Sequence, residues 1–130
     1  IEQRRYHTAH GIWYYCTVDD GQLDLSAGNY LLIAPPEGIR SLTRVFGKPA
    51  VVPLYIEVKG WERLKRAVRR ERRSGRPDYI EMCRRFLADQ SDFSPDKLTA
   101  CGIARHFQNG NLEECVEEIR REIQRQTGRA

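Results

Sequence analysis

Residues 61–89 read WERLKRAVRRERRSGRPDYIEMCRRFLAD, a strongly basic segment that contains two helical patterns. Apolar residues recur at helical spacing in each half, and arginine or lysine fills the other faces. Between the halves, residues 74–77 (SGRP) break the pattern, because glycine is permissive and proline keeps the preceding residue out of the α region. The segment therefore predicts two helices joined by a flexible polar tip.

This helix pair has three interpretations. The first is a solvated, charge-laced pair of helices without a ligand. The second is a clamp that closes over phosphate, because each guanidinium offers a planar fork of donors to phosphate oxygens. The third is a nucleic-acid-binding surface, but the interleaved aromatic residues and base-reading motifs typical of such surfaces are lacking. Nucleic acid is therefore disfavoured as a partner.

The composition is that of one soluble domain. The chain has 130 residues, of which 31% are charged, and its formal net charge is +4. A positive excess favours anionic partners such as nucleotides, and no apolar run approaches the length that spans a bilayer. The four cysteines have no C-x-x-C spacing, which predicts free thiols in a reducing compartment and hence a cytoplasmic protein.

Outside the basic segment, the chain predicts an alternation of strands and helices. Runs rich in apolar, aromatic and β-branched residues predict strands at 11–18, 29–34, 51–58 and 103–107. Capping and breaking residues predict helices from Pro36 to Gly47, from Ser94 to Gly102 and after Asn111. The strand–helix–strand order within 29–60 implies a right-handed parallel crossover. The predicted class is α/β, with a parallel sheet covered by helices.

The first motif of functional interest lies at the start of the chain. Ile1-Glu2 and the run GIWYYC at 11–16 resemble the Ile/Leu-Glu and Gly-Asn-Tyr-Tyr-Gly-Thr/Ser elements of guanylate kinase, a P-loop nucleoside monophosphate kinase. The resemblance implies that these residues bind GMP: Glu2 reads guanine, and Tyr14, matched to the second tyrosine, binds the phosphate. Cys16 falls where a serine or threonine hydroxyl normally helps to bind the base.

The basic helix pair resembles the lid of the same family. Its segments RAVRR (66–70) and IEMCRRFLA (80–88) resemble R-L-x-x-R and I-x-x-R-L-x-x-A. The resemblance implies that Arg70 and Arg85 are catalytic and close on the transferring phosphates of ATP. The segment NGNLEE that begins at Asn109 resembles N-D-D-L-E-E, which places Asn109 at the adenine of ATP. ATP and Mg²⁺ are then the implied cofactors, and no residue is assigned as a metal ligand.

The resemblance covers essentially the whole chain, as a guanylate kinase-like domain (1–130) that is incomplete at its N-terminus. Its expected parts are the end of the GMP-binding lobe (1–28), a core strand–helix–strand (29–60), the lid region (61–90) and the C-terminal part of the core (91–130). The implied fold is a partial P-loop kinase fold with an arginine-rich helical lid and a small GMP-binding β lobe. The chain contains no G-x-x-x-x-G-K-[ST], the loop that cradles ATP phosphates.

The expected function is ATP-dependent phosphorylation of GMP to GDP in an intact protein. This chain alone is expected to be inactive, because phosphoryl transfer depends on positioning and electrostatics that the P-loop supplies. The alternative is a non-catalytic guanylate kinase-like module that binds nucleotide or protein. Without the P-loop strand the sheet would have an open edge, which predicts self-association through that edge.

Overall fold

A computed structural model describes residues 1–128, in which two strands precede the first helix and three consecutive helices separate the last two strands. The strands are β1 (Glu2–Thr8), β2 (Gly11–Thr17), β3 (Tyr55–Glu57) and β4 (His106–Gln108). The helices are α1 (Pro36–Phe46), α2 (Gly60–Arg72), α3 (Tyr79–Asp92), α4 (Pro95–Ala100) and α5 (Leu112–Thr127). The predicted mixed α/β class is confirmed. Positions 129 and 130, the end of the predicted C-terminal part, lie outside the described residues.

The described strands form two separate two-stranded sheets. Strands β1 and β2 are an antiparallel hairpin in which Glu2 pairs with Thr17 and Arg4 with Tyr15. Strands β3 and β4 are parallel, with Ile56 opposite Phe107. A parallel pair needs a long connection, and here that connection contains α2, α3 and α4. The basic helix pair thus lies within the crossover between β3 and β4.

Local capping signals explain where the helices begin and end. Asp78 caps α3 by accepting from the backbone N–H of Glu81 at 2.9 Å, and Asn111 caps α5 by accepting from Glu113 N–H at 3.0 Å. Proline occupies the first turn of α1 and of α4, where its missing N–H leaves no bond unmade. Helix α1 ends before Gly47, whose φ of 83° suits glycine. The predicted helices are confirmed, as are the two helices on either side of the flexible tip.

The predicted strand at 29–34 is not formed, and the one at 51–58 shrinks to Tyr55–Glu57. Leu31 is 81% exposed and Ile33 is fully exposed. A strand exists only when a neighbour completes its backbone hydrogen bonds, and among the described residues no strand lies beside 29–34. The predicted crossover through 29–60 is therefore wrong, and the parallel pair joins β3 to β4 instead.

The core is small and lies where β4 meets the helices. Its buried apolar side chains are Leu42, Met82, Leu98, Ile103, Phe107 and Cys115. Phe107 has no exposed surface, and the Arg105 guanidinium lies 4.8 Å from the centre of its ring. No helix among residues 1–128 combines the length and apolar character needed to cross a membrane.

Candidate functional site

A cleft of about 380 Å³ lies between the β1–β2 hairpin and helix α3. The hairpin contributes Arg4, Tyr6, Thr8, Trp13 and Tyr15, and α3 contributes Glu81, Arg84, Arg85, Ala88 and Asp89. A second cavity of about 300 Å³, bounded by α1 and α4, shares Arg4, Tyr6 and Asp92 with the first. These three residues line both, so the two cavities adjoin each other along the hairpin. We call the adjoining pair the hairpin groove; Glu2 and Thr17 line neither cavity.

The hairpin presents one set of side chains to the groove because consecutive residues of a strand point to opposite faces. In β1 the even-numbered residues are partly buried and the odd-numbered residues are exposed. Their cross-strand partners share the same face, so Thr17, Tyr15 and Trp13 of β2 accompany Glu2, Arg4 and Tyr6. The rings of Tyr6 and Tyr15 meet edge to face at 5.7 Å.

The Glu2 carboxylate is buried and already bound by protein groups. Arg4 donates from Nε to Oε2 at 2.8 Å and from Nη2 to Oε1 at 3.0 Å. The hydroxyl of Thr17 donates to Oε1 at 2.9 Å. The Arg4 hydrogen bonds, with help from Thr17, lower the pKa of Glu2 against the opposing effect of burial. Glu2 is therefore an anion held in place by two neighbours on its own face.

Tyr14 and Cys16 lie on the opposite face of the hairpin from Glu2. Tyr14 pairs with Arg5 and Cys16 with Gln3, all of which are exposed. The structure therefore does not bring together the three residues that the resemblance assigned to GMP. The residues that share the Glu2 face are one position later, Tyr15 and Thr17.

Tyr15 and Thr17 are the residues of β2 that carry hydroxyl groups on the Glu2 face, and the Thr17 hydroxyl already donates to Glu2. Strand parity is the signal that identifies these residues: in a hairpin, a residue faces the same side as its cross-strand partner.

The two predicted lid arginines, Arg70 on α2 and Arg85 on α3, lie near the same carboxylate. Partial burial raises the pKa of Asp89, although its side chain reaches the surface. The positive charges of Arg63, Arg85 and Arg70 act in the opposite direction and lower it. Arg85 also lies 3.7 Å from Glu71 and 3.8 Å from Glu81. Arg85 lines the groove, whereas Arg70 is exposed and lines neither cavity. The structure thus places the predicted arginines on neighbouring helices, with Arg85 at the groove.

A second arginine–carboxylate pair faces the groove from α3. Arg84 donates from Nη2 to Glu81 Oε1 at 2.7 Å and from Nε to Oε2 at 2.8 Å. These bonds lower the pKa of Glu81 to about 2. A guanidinium has five N–H donors, so each bidentate pair leaves further donors for a ligand. The groove therefore combines aromatic faces with oriented guanidinium groups, which suits a planar ring that carries an anionic group.

Asn109 directly follows β4, and its backbone groups form hydrogen bonds to β3 and to a side chain of α2. Its N–H donates to the carbonyl of Glu57 at 2.8 Å, and its carbonyl accepts from Arg66 Nη2 at 3.0 Å. Arg66 belongs to the segment that resembles the lid motif, so the predicted adenine residue touches the base of the lid. Asn109 lines neither of the two cavities.

Comparison of the chain with family models, with curated proteins and with solved structures found no match in any of the three. The family resemblance thus stays a prediction from short motifs. The geometry of the hairpin groove is the basis on which a function is proposed.

Proposed function

We propose that the hairpin groove is the acceptor-nucleotide site of a guanylate kinase-like protein and that it binds GMP. One observation carries the proposal: Glu2, Tyr15 and Thr17 share one face of the hairpin, and Tyr15 lines the cleft opposite the arginines of α3. Glu2 and Thr17 lie outside the cleft lining, and Glu2 is joined to it through Arg4. A carboxylate accepts hydrogen bonds from the N1–H and exocyclic amine of guanine, an edge that adenine lacks. Tyrosine hydroxyl and guanidinium groups donate to phosphate oxygens.

The base end of the proposed site is the Glu2–Thr17 pair. The Thr17 hydroxyl donates to the carboxylate and holds it on the inner face of the hairpin. A group held in one orientation binds a ligand without the entropy cost of ordering it at the moment of binding. Tyr15 and Trp13 of β2 offer aromatic faces along the same wall.

The phosphate end lies towards Tyr15 and the helix pair. Arg84 and Arg85 project from the opposite wall, and Arg70 approaches from α2. The cleft volume of about 380 Å³ falls in the range of ligand pockets, roughly 300–1,000 Å³. In this proposal Arg70 and Arg85 also stabilise charge on the phosphoryl group that ATP transfers, and Asn109 lies beside adenine.

Phosphorylation of GMP to GDP needs parts that these 130 residues do not supply. ATP phosphates and Mg²⁺ are held by a G-x-x-x-x-G-K-[ST] loop in P-loop kinases, and the chain contains no such sequence. We therefore assign the acceptor site and lid to this chain. The alternative is a guanylate kinase-like module that binds nucleotide or protein without catalysis. A phosphoryl-transfer assay of the whole gene product with ATP, GMP and Mg²⁺ distinguishes the two.

Adjacent tyrosines on opposite faces of the hairpin provide the test of the site. We expect the chain to bind GMP saturably and more tightly than AMP in calorimetric titrations. Tyr15→Phe should weaken GMP by about 10- to 100-fold, because a hydrogen bond to a charged group is worth about 1.5–3 kcal/mol. Tyr14→Phe removes the same hydroxyl from the outer face and should leave the affinity within about two-fold of the original.

Three results would count against this site. The first is a chain that shows no saturation with GMP, and the second is equal affinity for GMP and AMP. The third is an affinity loss that follows Tyr14 rather than Tyr15, which would move the ligand to the outer face of the hairpin.

A further inference from the structure

We propose that Arg4 and Glu2 form a latch that the nucleotide opens by exchanging partners. In this exchange the ligand phosphate binds the Arg4 guanidinium, and the guanine edge replaces Arg4 as the hydrogen-bond donor to the Glu2 carboxylate. The inference rests on the proposed function and deepens it, since it adds Arg4 as a residue that determines specificity.

The latch is inferred from the hydrogen bonds that already occupy the Glu2 carboxylate. Arg4 uses both carboxylate oxygens with two parallel N–H donors, and Thr17 adds a third hydrogen bond. The N1–H and exocyclic amine of guanine are also two parallel donors, and they require the same edge of the carboxylate. With only 5% of the Glu2 side chain exposed, the two forks compete for one place. Arg4 must leave before guanine can bind there.

The Arg4 side chain has a second position available to it within the hairpin groove. It lies directly across from Tyr15 in the strand register, and it lines both cavities. Tyr15 is the residue to which the proposed function assigns the phosphate. The Arg4 guanidinium lies 5.9 Å from the centre of the Tyr15 ring, so in this exchange rotation of the side chain takes it from Glu2 towards a phosphate that Tyr15 holds.

The exchange makes the two halves of the ligand depend on each other. Guanosine would displace Arg4 but leave that guanidinium without an anion, and AMP would bind Arg4 but leave the Glu2 carboxylate without its two hydrogen-bond donors. A partly buried charge that has lost its partner is strongly unfavourable. GMP alone satisfies both groups at once. Arg4 thus raises selectivity against both incomplete ligands.

Neighbouring arginines on opposite faces allow a matched test with GMP and guanosine as probes. Arg4→Gln should weaken GMP by about 10- to 100-fold through loss of a charge-assisted hydrogen bond. The same change should make guanosine bind several-fold more tightly, because the Glu2 edge is no longer covered. Arg5→Gln, on the outer face beside Tyr14, should alter neither. Calorimetric titration of both ligands against each variant measures the two effects.

The opposite sign of the two effects separates the latch from a purely structural role, which would weaken both ligands. Arg4→Lys keeps the charge but not the fork, so it should also tighten guanosine while retaining part of the GMP affinity. If either Arg4 variant weakens guanosine or leaves it unchanged while the parent chain binds GMP, the latch is overturned and the proposed function stands. If the parent chain does not bind GMP, both are overturned.

Discussion

Glu122 on α5 is a buried carboxylate that several donors surround. It accepts from Arg125 Nη2 at 2.6 Å and from Gln126 Nε2 at 2.7 Å, and Arg105 donates to its other oxygen. Burial of a carboxylate is tolerated only when its oxygens are bound in this way. The pair with Arg105 joins α5 to the chain that leads into β4, so a single residue fastens the C-terminal helix to the core.

This arrangement predicts a stability that depends on pH. Hydrogen bonds from Arg125 and Gln126 lower the pKa of Glu122 from 4.5 to about 2. A carboxyl group whose pKa is lowered by folding stabilises the protein above its unfolded pKa, and that stabilisation is lost as the pH falls towards the folded pKa. Glu122→Gln should therefore be less stable than the parent at neutral pH, and the difference should shrink between about pH 4.5 and about pH 2.

Urea unfolding across this pH range measures the effect. Glu117→Gln is a suitable control, because Glu117 lies on the exposed side of the same helix and meets only Arg121, at 3.5 Å. If the unfolding free energy of Glu122→Gln is lower than that of the parent by the same amount at every pH, the residue acts through packing rather than through its charge.

The site residues show what the sequence could and could not predict at this scale. The sequence proposes Glu2 because its motif is local and the resemblance places it directly. It proposes neither Tyr15 nor Thr17, because their side of the hairpin depends on parity, which requires the register of β2 on β1. Strand β1 was not predicted, so no register could be assigned. Arg4 was missed for the same reason, since nothing in the sequence alone shows that it faces Glu2.

Among the elements, the helices and β2 are predicted by the sequence, and the other strands are predicted less well. The runs at 51–58 and 103–107 coincide only with strands of three residues, and 29–34 forms none. The helix ends carry local signals: Pro36, Pro95, Asn111 and the SGRP tip act within one turn of chain. Strand β1 carries charged or polar side chains on both faces, so it lacks the alternation of apolar and polar residues that marks a strand. The run at 29–34 has the composition of a strand but not the neighbour that a strand requires. Pairing is a property of the fold and cannot be inferred from one segment.

The joint between α2 and α3 depends on Glu71, a buried residue near the end of α2. Its Oε1 accepts from the backbone N–H of Asp78 at 2.6 Å, and its Oε2 lies 3.7 Å from Arg85. Asp78 in turn caps α3. Glu71 therefore sets where α3 begins and where the groove-facing Arg85 lies.

We expect Glu71→Ala to loosen this joint. The change leaves the buried Asp78 N–H without its acceptor, which costs about 1–3 kcal/mol in the free energy of unfolding. Faster hydrogen exchange should be confined at first to the tip and the first turn of α3. Glu117→Ala removes an exposed helix ion pair and should change the unfolding free energy by less than about 0.5 kcal/mol. If the two variants lose equal unfolding free energy, Glu71 has no special role at this joint.

For the whole molecule, the feature that remains unexplained by the groove is exposed apolar surface. It includes Leu31, Leu32 and Ile33 in the segment before α1, and Ile56 on β3. Among residues 1–128, β3 pairs with β4 alone, so its other edge has free backbone groups. An open strand edge and exposed apolar side chains are each surfaces on which another chain can pair or pack.

We therefore propose that the chain self-associates through this edge. Light scattering over a range of concentrations should show an increase in mass from monomer to a larger species. Ile33→Lys places a charge on the fully exposed end of the apolar segment and should shift the equilibrium towards monomer. Gln124→Lys adds the same charge on α5 and should not. A monodisperse monomer at all concentrations would contradict the proposal.

The alternation of side chains in the β1–β2 hairpin also restricts which changes in strand length such a protein can accept between species. Lengthening both strands by two residues moves the turn outwards and leaves Glu2, Arg4, Tyr15 and Thr17 on one side. Adding or deleting a single residue between Arg4 and Tyr15 sends one of them to the outer surface. Surviving length changes in this hairpin should therefore come in even steps, and a graft of the hairpin onto another scaffold must keep the same parity.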